Sequence, residues 1–393
     1  MTALLVVGAG PAGRALAHRG LRHGLQVTIV DPDPDRIWTA TIGMFVDDLP
    51  PWLPTEVIAC SAPEFVVYTP ARRQIGRGYC VLAPAELQRA LSLTGATVVR
   101  SHVEELTSHT VRLPDGRLLA ADHVVDARGG YRVDTRIPRQ RASGTVFAVR
   151  AGAAPAVTAA LSSDRRTPES EPPEQMVLMD WRDTTEDDPS FSYRVGLGGG
   201  RRLVEETCLA GRPATSLAEL ARRNRRWGAD PGLQPPEEVD FPLYLDAAPW
   251  RRSGTAPLRF GAAGGLMHPA TGYSIATALQ SAEHLAAAIA GGADPHRVLW
   301  SASARWTHRL RMLGLAVLLG FGGRELSRFF DVFFSLPVGR QRAYLSRRDR
   351  VSGIAGAMWS VFWGLDRRGR LRLIGASTAA AGRQLAAERR ARR

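Results

Sequence analysis

The sequence contains no lysine, so all 51 of its Lys-plus-Arg positions are arginine, and the formal net charge is +13. A basic surface favours anionic lipid or nucleic acid. No compact basic motif interleaved with aromatics is present, so nucleic acid is not expected as a partner. Cysteine is scarce: Cys60, Cys80 and Cys208 stand far apart, with no C-x-x-C and no even set. That excludes a disulfide framework and a cysteine zinc site, and it fits a reducing cytosol. The nine histidines are scattered, so no metal site is expected. Long apolar runs are also missing. The two longest candidates, 312–321 and 354–363, fall short of the roughly 20 residues that a spanning helix needs. A first strand begins almost at Met1, with no basic n-region or cleavage site, so a secretory leader is not expected.

What is present is concentrated in the first 31 residues. Leu4-Leu5-Val6-Val7 is one short buried strand. It leads into Gly8-Ala9-Gly10-Pro11-Ala12-Gly13, a helical stretch broken by Gly24, and a second apolar run, Val27–Val30, ending in Asp31. Strand, G-x-G-x-x-G, helix, strand and acid together form a dinucleotide fingerprint. Gly8 permits the turn, Gly10 lets a pyrophosphate approach the backbone, and Gly13 lets the helix pack closely. The helix start, with Ala12 in its first turn, offers N–H groups to phosphate. Asp31 accepts from ribose hydroxyls and disfavours a 2′-phosphate, so FAD or NAD is expected.

The 393 residues, 45% of them hydrophobic, suffice for one large domain or two interleaved ones. After Asp31, residues 36–48 form an irregular, aromatic-bearing loop with Trp38, Phe45 and Asp47, of a kind that is often functional. Strands are expected at 65–68, 78–82 and 97–99, with a helix from Pro84. A hairpin follows around Pro114–Arg117. His123–Asp126 returns as a buried strand with a glycine-rich turn through Gly130.

A second sheet is expected between about 144 and 245, with strands at 175–181, 192–197 and 202–209, a loop at 162–174 and a helix at 216–227. Gly261 to Tyr273 then re-enters the nucleotide domain and opens a helix at Ser274. Asp126, Gly261, Pro269, Thr271, Gly272 and Tyr273 are candidate cofactor contacts. The expected fold is α/β with two domains. A Rossmann-like FAD-binding domain (1–54, 84–143, 255–300) is interleaved with a substrate-binding sheet domain (55–83, 144–254). A helical, membrane-proximal region (301–366) and a basic tail (367–393) follow. The two short apolar runs, bordered by Arg and Trp, suit either core helices or a helix lying in a membrane interface.

Several blocks, in order, resemble one family, the plant-type lycopene β-cyclases. They are Gly8–Gly13 with Asp31-Pro32; Ile37-Trp38 leading to Gly43 and Val46-Asp47; Met179–Asp183; Val204–Leu209; Met267–Ser274; and Arg328–Phe334. The sequence departs from the family at Thr39-Ala40-Thr41, at Val81 and at Leu203-Val204. The resemblance implies a flavoprotein that binds FAD noncovalently and works with reduced FAD, with NAD(P)H as reductant. It implies lycopene as substrate and acid-catalysed closure of its ψ-ends to β-rings without net redox change. It assigns the general acid to Glu205 and substrate contacts to Trp38, Phe45, Asp47, Trp181 and His268. Asp47 and Asp180 are the next acids if Glu205 is not the donor. A lipid-soluble substrate implies a cytoplasmic protein peripherally associated with the bilayer surface. Strand alternation sends Glu205 and Glu206 to opposite faces. On the residues alone, both also read as solvated edge charges. The competing readings are an FAD-dependent monooxygenase or prenyl-chain reductase, and a non-catalytic carotenoid binder. Against a hydroxylase, Gly261 is followed by Ala262 rather than Asp.

Overall fold

The uniformly apolar Leu4–Val7 demands cover on both faces, and it lies at the centre of a parallel sheet. The computed structural model describes residues 1–129, 137–148, 175–227, 236–243, 248–251 and 254–390. The expected glycine at 130 and the loop at 162–174 lie outside the described residues. In chain order the strands are β1 (Ala3–Val7), β2 (Gln26–Asp31), β3 (Ile42–Phe45), β4 (Ile58–Ala62), β5 (Phe65–Tyr68), β6 (Arg72–Ile75), β7 (Tyr79–Leu82), β8 (Thr97–Arg100), β9 (Glu105–Leu106), β10 (Thr110–Arg112) and β11 (Leu118–Ala120). They continue as β12 (His123–Asp126), β13 (Arg139–Ala148), β14 (Met176–Asp180), β15 (Phe191–Gly198), β16 (Arg201–Gly211), β17 (Glu237–Pro242) and β18 (Leu258–Arg259).

The nucleotide sheet has the order β18-β12-β1-β2-β8, with all neighbours parallel. Helix α1 (Pro11–Arg22) packs on a later helix, Ile275–Ala290, beside this sheet. The β9–β11 meander buries Val111 and Leu113 with Leu5, Val7, Val30 and Val124.

The second sheet has seven strands in the order β17-β13-β16-β15-β14-β5-β6. Its β13 starts at Arg139, before the expected boundary. Arg139 and Arg141 hide the strand from a hydrophobicity reading, because both pair with Asp240. A third sheet, β3-β7-β4, packs against β15. The remaining helices, in order, are α2 (Pro84–Ala90), α3 (Leu217–Asn224), α4 (Ile275–Ala290), α5 (Pro295–Leu299), α6 (Ala302–Leu318), α7 (Gly323–Ser335), α8 (Val338–Leu345), α9 (Val351–Gly364) and α10 (Arg367–Arg390). Helix α3 is capped by the Ser216 hydroxyl and ends before the expected Trp227, in a single 3₁₀ turn.

The first apolar run is a core helix: α6 buries Met312, Leu315, Val317 and Leu318. The second, α9, buries Ile354, Ala357 and Val361 but leaves Trp359 and Trp363 exposed. Among the described residues no helix is long and apolar enough to cross a membrane. The expected basic tail is instead a helix through Arg390. Its alanines and unbranched side chains favour helix even without a strong apolar face.

Candidate active site

The glycine turn is built as its chemistry requires. Gly8 has φ +105°, and a Cβ there would meet the backbone of Ala127 and Arg128 at 3.0 Å. A Cβ on Gly13 would sit 1.9 Å from the Gly8 carbonyl oxygen. Gly10 differs: its φ of −67° is open to any residue, and among the described residues nothing lies within 4 Å of a Cβ there. That open space faces the start of α1, which no side chain caps. Asp31 accepts the Ala9 N–H at 2.7 Å and the Asp33 N–H at 2.8 Å, so it braces the turn and still has lone pairs to offer. A Cβ on Gly261 would come 2.9 Å from the Ala12 Cβ, so the third glycine segment abuts the same helix start. Asp126, at the end of β12, is held by Arg128 at 2.9 Å. Trp38 packs against this domain's core with Arg14 over its ring at 6.0 Å.

The turn 268–273 closes on itself. The His268 N–H donates to the Tyr273 carbonyl, and the Thr271 and Gly272 N–H groups donate to the His268 carbonyl. The His268 ring accepts the Ala270 N–H at Nδ1, so Nε2 carries the hydrogen and donates to the Tyr344 carbonyl at 3.2 Å. Burial pushes its pKa well below the ordinary histidine value, with Arg311 adding to the effect, so it stays neutral. His268 is thus a brace for the turn. Pro269 and Thr271 follow it, and Gly272, at φ +76°, brings the backbone against Gln140 and Phe241 on the large sheet. The Thr271 hydroxyl and the Gln140 side-chain amide oxygen are buried without a partner among the described residues.

That sheet face carries Glu205. It lies in β16, an inner strand, so the expectation of a solvated edge charge on the residues alone does not hold. Among the described residues its carboxylate accepts one hydrogen bond, from the Thr207 hydroxyl at 2.8 Å, two residues along the same face. Burial raises its pKa to about 7; the Thr207 bond opposes the shift and Glu237 adds to it. Across the ladder Tyr193 pairs with Glu205. The Tyr193 hydroxyl lies 3.2 Å from that of Tyr79, which lies 3.1 Å from that of Tyr273. Burial raises the pKa of all three phenols, keeping them neutral. Phe45 packs on Tyr79 and Tyr273 at ring separations of 5.4 and 5.7 Å. A side chain at Gly43 would strike the Tyr79 and Tyr193 hydroxyls.

The neighbouring acids have other partners. Asp47 pairs with Arg77 at 2.8 Å and Arg342 at 2.9 Å. Asp48 is the buried one of the two, bonded to Arg77 and Ser346 and lining a small cavity with Phe45 and Tyr273. Burial works to raise the Asp180 pKa, but Arg182 and Arg194 outweigh it and hold it below the usual carboxylate range. Trp181 is packed between Phe191 and Phe330 at 4.9 and 5.5 Å. The structure therefore brings Glu205, Phe45 and Tyr273 into one neighbourhood. Partly buried Trp38 packs against the core under the parallel sheet, and Trp181 is buried in an aromatic core. Tyr193 and Glu237, missed from sequence, join Glu205 only through strand register. The Glu237-Glu238 pair was the one local signal.

The chain matches the family model described as lycopene cyclase protein over residues 3–356. It is 33% identical to an uncharacterized carotenoid cyclase of Deinococcus radiodurans, over 98% of this chain and 96% of that protein. It is 28% identical to the chloroplastic lycopene beta cyclase of an Oncidium hybrid, over 91% of this chain and 80% of that one. Among solved structures it is similar in fold to a geranylgeranyl bacteriochlorophyll reductase-like protein of Thermoplasma acidophilum. There the TM-score is 0.59 at 15% identity, over 91% of this chain and 95% of that one. The chain belongs to the lycopene cyclase protein family.

Proposed function

We propose that this protein cyclises the ψ-ends of lycopene to β-rings, giving γ-carotene or β-carotene, as an isomerase with no net redox change. The observation that carries the reading is Glu205, a carboxyl buried among apolar and phenolic groups, with its pKa raised to about 7. Such a group holds its proton near neutral pH and can donate it to an alkene. Donation to the terminal double bond leaves a tertiary cation, which the neighbouring double bond attacks to close the ring. The rings of Tyr79, Tyr193 and Tyr273 carry quadrupoles that favour a nearby cation, and their hydroxyls, kept neutral, are weak nucleophiles; Phe45 already has the Arg77 guanidinium 3.6 Å over its ring.

The residues fit noncovalent FAD. Gly8, Gly10, Ala12 and Gly13 would hold its pyrophosphate, and Asp31 its ribose. The buried, unpartnered Thr271 hydroxyl and Gln140 side-chain amide oxygen offer polar atoms to the flavin ring. Reduced FAD, maintained by NAD(P)H, supplies an anionic, electron-rich ring that favours positive charge in a low-dielectric site.

The exposed Trp359 and Trp363 on α9, with Leu371 and Ile374 on α10 and arginines nearby, support a cytoplasmic protein resting on an anionic bilayer. Incubating the protein with lycopene, FAD and NAD(P)H tests the function. A ringed product of unchanged mass is expected; added oxygen or hydrogen would instead make it a redox enzyme.

A further inference from the structure

Glu205 shares its face of the sheet with a second carboxylate. Strand β13 runs between β16 and β17, and its Gly144 is directly opposite Glu205 on one side and Glu237 on the other. Directly opposed residues of an antiparallel pair project to the same face. Tyr193, Glu205, Gly144 and Glu237 therefore form one row across four strands. The middle of the row has no side chain. A Cβ at Gly144 would meet Leu203 at 2.8 Å and the Glu205 Cβ at 3.3 Å. Two strand spacings, roughly 10 Å, separate the Glu205 and Glu237 backbones. Leu203 and the stem of Glu205 lean over Gly144, and the long side chains of Glu205 and Glu237 rise on either side of it from one face of the sheet.

Their settings differ in kind. Glu205 is buried and receives one hydrogen bond. Glu237 is half-buried and accepts two, from the Thr41 N–H and from the Thr41 hydroxyl, each at 2.7 Å. Thr41 belongs to the loop that follows Trp38, so Glu237 also ties the cofactor domain to the substrate sheet. One carboxyl is placed to give a proton, and the other is held as an acceptor on the side nearer solvent.

Ring closure needs both. A proton enters at one alkene carbon of the end group and another leaves a ring carbon two bonds away. We propose that Glu237 is the base that takes this ring proton and thereby fixes the position of the ring double bond; this rests on the cyclase reading above. The Glu205 O–H bond breaks as the new C–H bond forms. The cation is attacked by the second alkene, forming the ring C–C bond. The ring C–H bond then breaks, its electron pair becomes the ring double bond, and the proton goes to Glu237. Glu237 releases it to water and Glu205 regains one, so no electrons are exchanged and no co-reactant is consumed.

The test is a product analysis of the flavin-loaded protein with lycopene, for wild type, Glu237→Gln, Glu237→Asp and Thr41→Val. Glu237→Gln should lower β-ring formation by about 10²-fold or more. Its residual product should include ring isomers with the double bond at another carbon, because the cation still loses a proton somewhere. Glu237→Asp should restore part of the β-ring yield. Thr41→Val, which keeps the carboxyl and removes one donor, should fall between and decides the matter if Glu237→Gln does not fold. A folded Glu237→Gln protein that makes β-rings alone, at any rate, overturns the assignment. So does a Thr41→Val protein with wild-type rate and product when Glu237→Gln cannot be folded. Wild-type protein that forms no ring overturns the cyclase reading itself, before any variant is assayed.

Discussion

Glu205 and Glu206 are consecutive residues of β16 that face opposite layers of the protein. Glu206 is fully buried under α3, bonded to Ser190 and to Arg226 at 2.9 Å. Burial still raises its pKa against the pull of those partners. Glu205, on the other face, accepts the Thr207 hydroxyl and stands opposite Tyr193 in the ladder, with no arginine among its hydrogen-bond partners in the described residues. Glu206→Gln should therefore act on the scaffold. It should cost about 1–3 kcal/mol of stability through the lost charged hydrogen bonds, read as a lower denaturation midpoint, with kcat close to wild type.

The raised Glu205 pKa makes a prediction about pH. The folded protein holds a proton on this carboxyl up to about pH 7, whereas the unfolded chain releases it near 4.5, the ordinary glutamate value. The folded state binds more protons between these values, so its stability falls as pH rises across that window, by about 3 kcal/mol in all. Glu205→Gln removes the dependence. Thermal melts should show variant and wild type converging below about pH 4.5 and the variant more stable above pH 7. Cyclisation by the wild type should decline as pH rises through about 7, because the acid loses its proton.

Two glycines of one motif should fail differently. Gly10 has an ordinary φ and empty space at its Cβ position, so Gly10→Val should fold with a nearly unchanged melting temperature and lose flavin, measured as released chromophore after denaturation. Gly13→Ala drives a methyl group into the Gly8 carbonyl and should cost about 3 kcal/mol or more, seen as poor folding before any question of flavin.

The exposed Trp359 and Trp363 are the anchors expected to enter a lipid surface. Replacing both by Ser should abolish flotation with anionic liposomes while cyclisation of detergent-dispersed lycopene persists. Unchanged flotation of the double variant would place the lipid contact elsewhere.

The glycine turn was legible because its determinants are local: Gly8, Gly10, Gly13 and Asp31 lie within one strand-helix-strand unit. The surroundings of Glu205 were not. They are set by the register of β13, β15 and β17, and no local pattern announces that Gly144 stands between Glu205 and Glu237. Trp38 and Trp181 read as substrate contacts because they sit in recognisable blocks. Large aromatics nevertheless fill cores: Trp38 lies against the nucleotide core and Trp181 stacks on Phe330. His268 lies in one of the blocks that carry the resemblance, and its ring braces the turn that carries Thr271 and Gly272. Asp48 rather than Asp47 proved to be the buried member of its pair, a distinction that depends on a single turn of 3₁₀ helix.

The central claim is that Glu205 supplies the proton that starts ring closure. The most direct measurement is the rate of β-ring formation from lycopene by flavin-loaded Glu205→Gln, beside Glu206→Gln and wild type at the same pH. General acid catalysis contributes about 10²–10⁴-fold, so Glu205→Gln should lose at least that much while binding flavin normally, and Glu206→Gln should stay near wild type. A folded, flavin-bound Glu205→Gln protein that cyclises lycopene at the wild-type rate would contradict the account.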